Sequence, residues 1–304
     1  METTGPYLEG TGSFTPQMHE LTGVDDARST VDYWIAQGAT SFKAYMHITR
    51  AELAAAIDAA HAKAIKVTGH LCSIGLAEAA DLGIDDLEHG LVVDTEFAEG
   101  KQPDLCPDPR KAASGSAEMH VDSAPIQSLI RRLVDKHVAV TSTLPLFETF
   151  VPGRGSQDAR VREAMLPEAR VEYLKTKDEI ATRKDSPWPK LFALEMAFEL
   201  AFVRQGGHLL AGLDPTGYGG VIAGYGDQRE VELLVEAGFP PIEALQIATF
   251  NGARFLGKER DIGSVEPGKA ADLVLVKGNP ATSSKDIENV VMVFKDGIAY
   301  DPAN

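Results

Sequence analysis

No run in this sequence approaches the roughly 20 apolar residues that span a bilayer, which excludes a transmembrane helix. The first residues, METTGPYLEG, lack the basic start and apolar stretch of a secretory leader, so the expected location is cytoplasmic. Cysteine is scarce. Cys72 and Cys106 are the only two, neither has a CxxC neighbour, and they make no disulfide framework. Cys72 reads as a small buried residue beside a strand end, and the pair together points to a reducing compartment. Positive charge is also short: 29 Lys and Arg stand against 45 Asp and Glu, for a net charge of −16. Binding to nucleic acid needs a basic face, so that class of partner is excluded, and no membrane partner is expected. The phosphate-cradling patterns GxGxxG and GxxxxGK[ST] are missing as well. There is no internal repeat, low-complexity tract or coiled coil.

What remains is an ordinary globular composition, 44% hydrophobic and 24% charged over 304 residues, enough for one large α/β domain with an appendage. Short apolar runs alternate with helical patterns, the signature of parallel βαβ units. TSFKAYM reads as a strand and leads through the capping box Thr49-Arg50-Ala51-Glu52 into the helix ELAAAIDAAHAKA. AIKVTGHL is the next strand, IGLAEAADLG a helix ending at Gly83, and IDDLEHGLVV a third strand. Residues 98–124 are rich in Pro, Gly, Asp and Ser and read as an exposed loop. SLIRRLVDKH is an amphipathic helix and VAVTSTL a β-branched strand. Charged helical patterns broken by prolines fill 145–205, an insertion that belongs over a site or at an oligomer contact. GGHLLAGLD closes the strand series. A glycine-rich loop from Pro215 to Gly226 follows, then the helices QREVELLVEAG and IEALQIATFNGARFLG. From about residue 259 the character changes to β-rich segments with tight turns, so 1–258 and 259–304 are expected to be separate units.

Four polar residues stand at the carboxyl ends of predicted strands: Lys43, His70, His89 and Asp214. In parallel α/β barrels those ends open onto one face, and that face holds the active site. Each residue alone has a plainer explanation. A strand-end histidine is more often a hydrogen-bonded core residue, a lysine flanked by apolar residues usually snorkels, and Asp214 before Pro215 can simply cap a turn. Jointly, two imidazoles, a carboxylate and a lysine suit a borderline divalent ion such as zinc. Tyr45 and His120 are positioned to line such a site or assist an oxyanion, although His120 in its loop fits solvent exposure better. His47 lies just beyond the Lys43 strand, while His19, His61, His137 and His208 read as surface or helix-end residues. The loop 215–226, with Tyr218, reads as a mobile substrate loop.

The order Lys, His, His, Asp at strand ends, with EALQIATFNGARFLG followed by IGSVEPGKAADLVLVKGNP, resembles the amidohydrolase superfamily, particularly its imidazolonepropionase-like and prolidase-like branch. The loop GLDPTGYGGVIAGYGDQRE resembles one of its subgroups, and the similarity covers about residues 30 to 300. The resemblance implies a (β/α) barrel of eight strands beside a small β-sandwich built from both chain ends. It also implies a carboxylated Lys43 bridging two metal ions, with His70 and His89 on the more exposed ion and Asp214 on the other. The implied reaction is hydrolysis of an amide, peptide or cyclic amide by a metal-activated hydroxide, with Asp214 as proton shuttle. An ester, lactone or phosphoester would use the same chemistry. A small molecule or short peptide is the implied substrate.

One part of the family pattern is missing: this chain has no His-x-His, which in the family supplies two ligands from the first strand. GPYLEGTGSF resembles a loop following the third strand, so strands one to three are expected to lie outside the chain. Five strands cannot close an eight-stranded barrel, and an open edge invites pairing. The expectation is therefore a homo-oligomer, or pairing with a missing amino-terminal segment. A barrel remnant serving assembly or binding without chemistry is the competing reading.

Overall fold

The computed structural model describes residues 2–155 and 158–302. In chain order, α1 (Val24–Ala36), β1 (Ser41–Ala44), α2 (Arg50–His61), β2 (Lys66–Gly69), α3 (Leu76–Leu82) and β3 (Asp86–Glu88) come first. They are followed by α4 (Pro109–Ala117), α5 (Ala124–Asp135), β4 (Ala139–Ser142), α6 (Leu144–Glu148), α7 (Ala159–Glu163), α8 (Pro167–Ala181), α9 (Trp188–Arg204) and β5 (His208–Ala211). Last come α10 (Tyr225–Ala237), α11 (Pro241–Gln246), α12 (Gly252–Phe255), β6 (Leu273–Val276), β7 (Val290–Lys295) and β8 (Ile298–Tyr300). The first five strands form one parallel sheet in chain order, and the last three an antiparallel one. The chain divides into two compact units, Met1–Thr141 with Ala193–His208, and Ser142–Phe192 with Leu209–Asn304.

In the first unit, β1 and β2 alternate strictly between half-buried and buried residues. Successive side chains leave a strand on opposite faces, so Phe42, Ala44 and Val67 go to the buried face and Ser41, Lys43 and Thr68 to the other. Register places Lys43 opposite Thr68. α2 packs on both strands through Leu53, Ala56, Ile57 and Ala60, and the predicted capping box is present: Thr49 accepts from the Glu52 amide while Glu52 accepts from that of Thr49. Gly83 ends α3 at φ 92, a conformation in which a Cβ is strained. α5 buries Ile126, Leu129, Ile130 and Leu133, a helical stripe against α3.

Three expectations are corrected in this unit. Residues 98–124 are not one loop, because α4 forms inside them. The edge of β1 is not open: Thr4 and Leu8 bridge to Ser41 and Ala44 in parallel, with the Gly5 and Leu8 amides donating to Ser41 and Lys43 carbonyls at 2.9 Å each. Residues 3–9 therefore satisfy the edge groups that an unpaired strand would offer another chain. Finally, Cys72 and Cys106 are joined in a disulfide across 34 residues, their Cα atoms 5.1 Å apart, within the span a disulfide bridges. Such bonds persist in oxidising surroundings, so the reducing compartment inferred from cysteine scarcity loses its support.

In the second unit, the Gly212 amide donates to the Ser142 carbonyl at 2.8 Å, extending the ladder between β4 and β5. The segment IEALQIATFNGARFLG is not one regular helix, since a π-turn at Ile247–Asn251 separates α11 from α12. The Asn251 amide side chain donates to the Leu209 carbonyl at 2.8 Å there. β7 and β8 form a hairpin whose two loop residues, Asp296 and Gly297, both have positive φ, as a type I′ turn requires. Val274 and Leu275 of β6 remain 59% and 53% exposed, leaving an apolar surface on the antiparallel sheet. Among the described residues, no helix is long and apolar enough to cross a membrane.

Candidate active site

On the polar face of the first unit's strands, Lys43 of β1, Thr68 of β2 and Glu88 of β3 meet. Lys43 Nζ is ion-paired with Glu88 Oε2, and Thr68 Oγ1 donates to Glu88 Oε1 at 2.8 Å. Both charged side chains are mostly shielded, 16% and 17% exposed, so their attraction is screened less than at a surface. Asp86, two residues before Glu88 and on the same face, is buried and accepts from Thr141 Oγ1 at 2.8 Å. Burial, and then the neighbouring Glu88, push its carboxyl up to about 7.

His70 follows β2 directly. Its amide donates to the Ala44 carbonyl at 3.1 Å, which extends the ladder one residue beyond the strand. His89 follows β3, its amide donating to the Thr141 carbonyl at 3.0 Å. Here the backbone departs from strand geometry, since His89 has φ 73, a left-handed conformation that costs a non-glycine residue on the order of 1–2 kcal/mol. Regular alternation would send Glu88 and His89 to opposite faces. The left-handed turn instead leaves His89 Nε2 3.8 Å from Glu88 Oε2, with the His89 side chain only 2% exposed. The predicted third strand thus ends at Glu88, and GLVV forms a 3-10 turn at Gly90–Val93.

The two imidazoles are in contact, ring centroids 4.6 Å apart and tilted by 72°. Tyr45 stands edge-on to His70 at 5.2 Å and Tyr7 lies 4.9 Å from Tyr45. Lys43 Nζ is 5.3 Å and 6.0 Å from the Tyr7 and Tyr45 ring centroids, within cation–π range. An ion-paired, imidazole-rich cluster with an aromatic wall is the result.

Lys43, His70, His89 and Tyr45 are thus gathered in one place within the first unit, and the remaining predicted residues each have their own surroundings. His120 is exposed in the turn between α4 and α5. His47 approaches the buried Glu9, whose carboxylate accepts from the His47 amide at 2.7 Å. Asp214 belongs to the second unit, follows β5 at φ 44, and its carbonyl accepts from the Thr216 amide at 2.6 Å. Tyr218, also in the second unit, donates its hydroxyl to the Thr149 carbonyl and stacks on Tyr173 at 5.5 Å. Glu88 and Tyr7 were missed. Glu88 had a visible signal, a carboxylate adjacent to the candidate histidine in LEHG, at the end of the same predicted strand. Tyr7 had none, because it is brought in by the edge segment.

As a metal site the cluster is partial. Two imidazoles in ring contact, one of them deeply buried, fit two ligands of a transition-series divalent ion. Among the described residues, however, no group of three or more His, Cys, Asp or Glu is arranged to hold one.

Comparisons with known proteins bear on this geometry. The model of the amidohydrolase family matches residues 214–299. A stretch of 47 residues, 16% of this chain, is 47% identical to adenine deaminase 3 of Rhizobium meliloti (strain 1021) and spans 8% of that protein. Among solved structures, 99% of the chain superposes on a bottromycin amidohydrolase with a TM-score of 0.71 and 21% identity, covering 64% of it. An Xaa-Pro dipeptidase with methionine in its active site matches 98% of the chain at a TM-score of 0.63 and 21% identity, with 66% of that protein covered. The chain therefore spans under two thirds of the length of these proteins.

Proposed function

We propose, from the premise that this chain belongs to the amidohydrolase superfamily, that it hydrolyses a carbon–nitrogen bond at the Lys43–His70–His89 cluster. The observation that carries the reading is the convergence of these three side chains at successive strand ends, with the two imidazoles in contact. Deamination and dipeptide cleavage, the activities in the names of two of the proteins compared above, both break a carbon–nitrogen bond, which supports that bond class here.

His70 and His89 would hold a divalent ion, zinc by donor chemistry, with Lys43 as a carboxylated bridging ligand in a binuclear site. Such an ion supplies Lewis-acid polarisation and a lowered pKa for the attacking water. The remaining work falls to side chains. Without metal, Glu88 holds the Lys43 ammonium at the carboxyl end of β1, with the rings of Tyr7 and Tyr45 beside it; carboxylation would require that ion pair to open and Lys43 to give up its proton. Asp214, assigned by the order of motifs along the chain, is the proton carrier: its carboxylate takes a proton from water and returns it to the leaving amine. The substrate class is a small amide, cyclic amide or short peptide.

The test is metal analysis of protein expressed with ample zinc, paired with hydrolysis of a dipeptide and N-acyl amino acid panel. One to two zinc ions per chain are expected, by analogy with the roughly one or two metals of such hydrolase sites, and Lys43→Ala should lower both zinc content and turnover. Unchanged zinc content in that variant would remove Lys43 from the site. A parent protein without zinc or turnover would leave a non-catalytic barrel as the function.

A further inference from the structure

The turn that carries His89 is clasped by a carboxylate from another part of the first unit. Glu195 of α9 is buried, 1% exposed, and its Oε2 accepts from the Val92 amide at 2.7 Å across 103 residues of sequence. The Leu91 amide donates to the same carboxylate. His89 and Gly90 are both left-handed, at φ 73 and φ 62, and the following 3-10 turn presents its amides together. Consecutive amides turned to one side form a concavity for an anion, and Glu195 fills it. A Cβ at residue 90 would overlap that carboxylate, so only glycine lets Glu195 reach the backbone. The clasp has no part in the chemistry assigned above, yet it grips the residues immediately after a site histidine.

We propose that Glu195 is a positioning residue for His89, holding the left-handed turn that swings the imidazole out of strand alternation and against His70. This inference rests on the reading of His89 as a site residue. Without the clasp, His89 returns to extended backbone and its ring turns toward the opposite face of the sheet. Burial raises the Glu195 carboxyl to about 8, a cost the fold sustains through the two amide bonds.

The experiment uses the full chain stripped of metal, with zinc alone as the probe and imidazole 1H–15N NMR as a second readout. Glu195→Ala should weaken zinc binding by about 10- to 100-fold, the usual effect of losing an outer support of a metal ligand. In the metal-free variant the His89 ring signals should lose the displacement imposed by the neighbouring His70 ring, while those of His61 and His137 stay in place. Glu195→Gln keeps an acceptor for the Val92 amide and should recover most of the loss. Gly90→Ala pushes the carboxylate away and should reproduce the His89 change, which keeps the idea testable if Glu195→Ala does not fold. Unchanged zinc affinity and unchanged His89 signals in Glu195→Ala, or an undisturbed ring in Gly90→Ala, would overturn the proposal. If the parent takes up no zinc but Glu195→Ala still moves the His89 signals, positioning stands and the hydrolase reading fails.

Discussion

Opening the Cys72–Cys106 bond should lower the stability of the first unit by an amount set by the loop it closes. The bond joins residues 34 apart. A cross-link over such a loop removes about 3.8 kcal/mol of chain entropy, as free energy at 25 °C, from the unfolded state. At a urea m-value of about 3 kcal/mol/M, the unfolding midpoint should fall by roughly 1.3 M. The loop keeps other anchors after reduction, because Arg50 still binds Asp104 through its backbone amide at 2.8 Å and its Nε at 3.1 Å. Lys101 also donates to the Ser73 carbonyl at 2.6 Å. The loss should therefore appear in global unfolding rather than as release of the loop. Urea titrations with and without reductant, with a Cys106→Ser variant as control, measure it, and since both cysteines belong to the first unit only its transition should move. Equal midpoints with and without reductant, together with two alkylatable thiols in untreated unfolded protein, would refute the disulfide and everything drawn from it.

Stability should also depend on pH through buried carboxyls whose folded pKa is raised, Asp94 to about 7 and Glu195 and Glu230 to about 8, burial being the largest cause in each. Between the ordinary carboxylate pKa and these values the folded state binds more protons than the unfolded one, so stability falls as pH rises. Urea midpoints should drop from pH 5.5 to 8.5, and a rising midpoint over that window would contradict the burial of these groups. In the second unit, Arg229 binds the buried Glu148 through Nε at 3.0 Å and Nη2 at 2.7 Å, and Arg154 binds the same carboxylate. Arg229→Ala should cost about 2 kcal/mol, less than a fully buried pair because Arg154 remains and Arg229 is partly exposed. Calorimetry would show it as a lower unfolding temperature, and a loss within experimental error would mean that Arg154 alone suffices.

Much of this molecule was readable along the chain because the relevant forces are local. Short apolar, β-type runs marked β1, β2 and β4, the capping box at Thr49 started α2, and β-rich segments with tight turns marked the tail. The order Lys43, His70, His89 at strand ends also followed from sequence, since a parallel sheet brings those ends to one side whatever the helices between them do. Tertiary contacts decided the rest. The site depends on His89 leaving strand geometry, and that turn is held by Glu195 across 103 residues. Cys72 finds Cys106 only because the loop after β3 folds back, and Tyr7 meets Lys43 only because residues 3–9 pair with the edge of β1. No local pattern encodes these pairings, for their energy comes from partners that sequence spacing leaves unspecified and the folded sheet brings within reach.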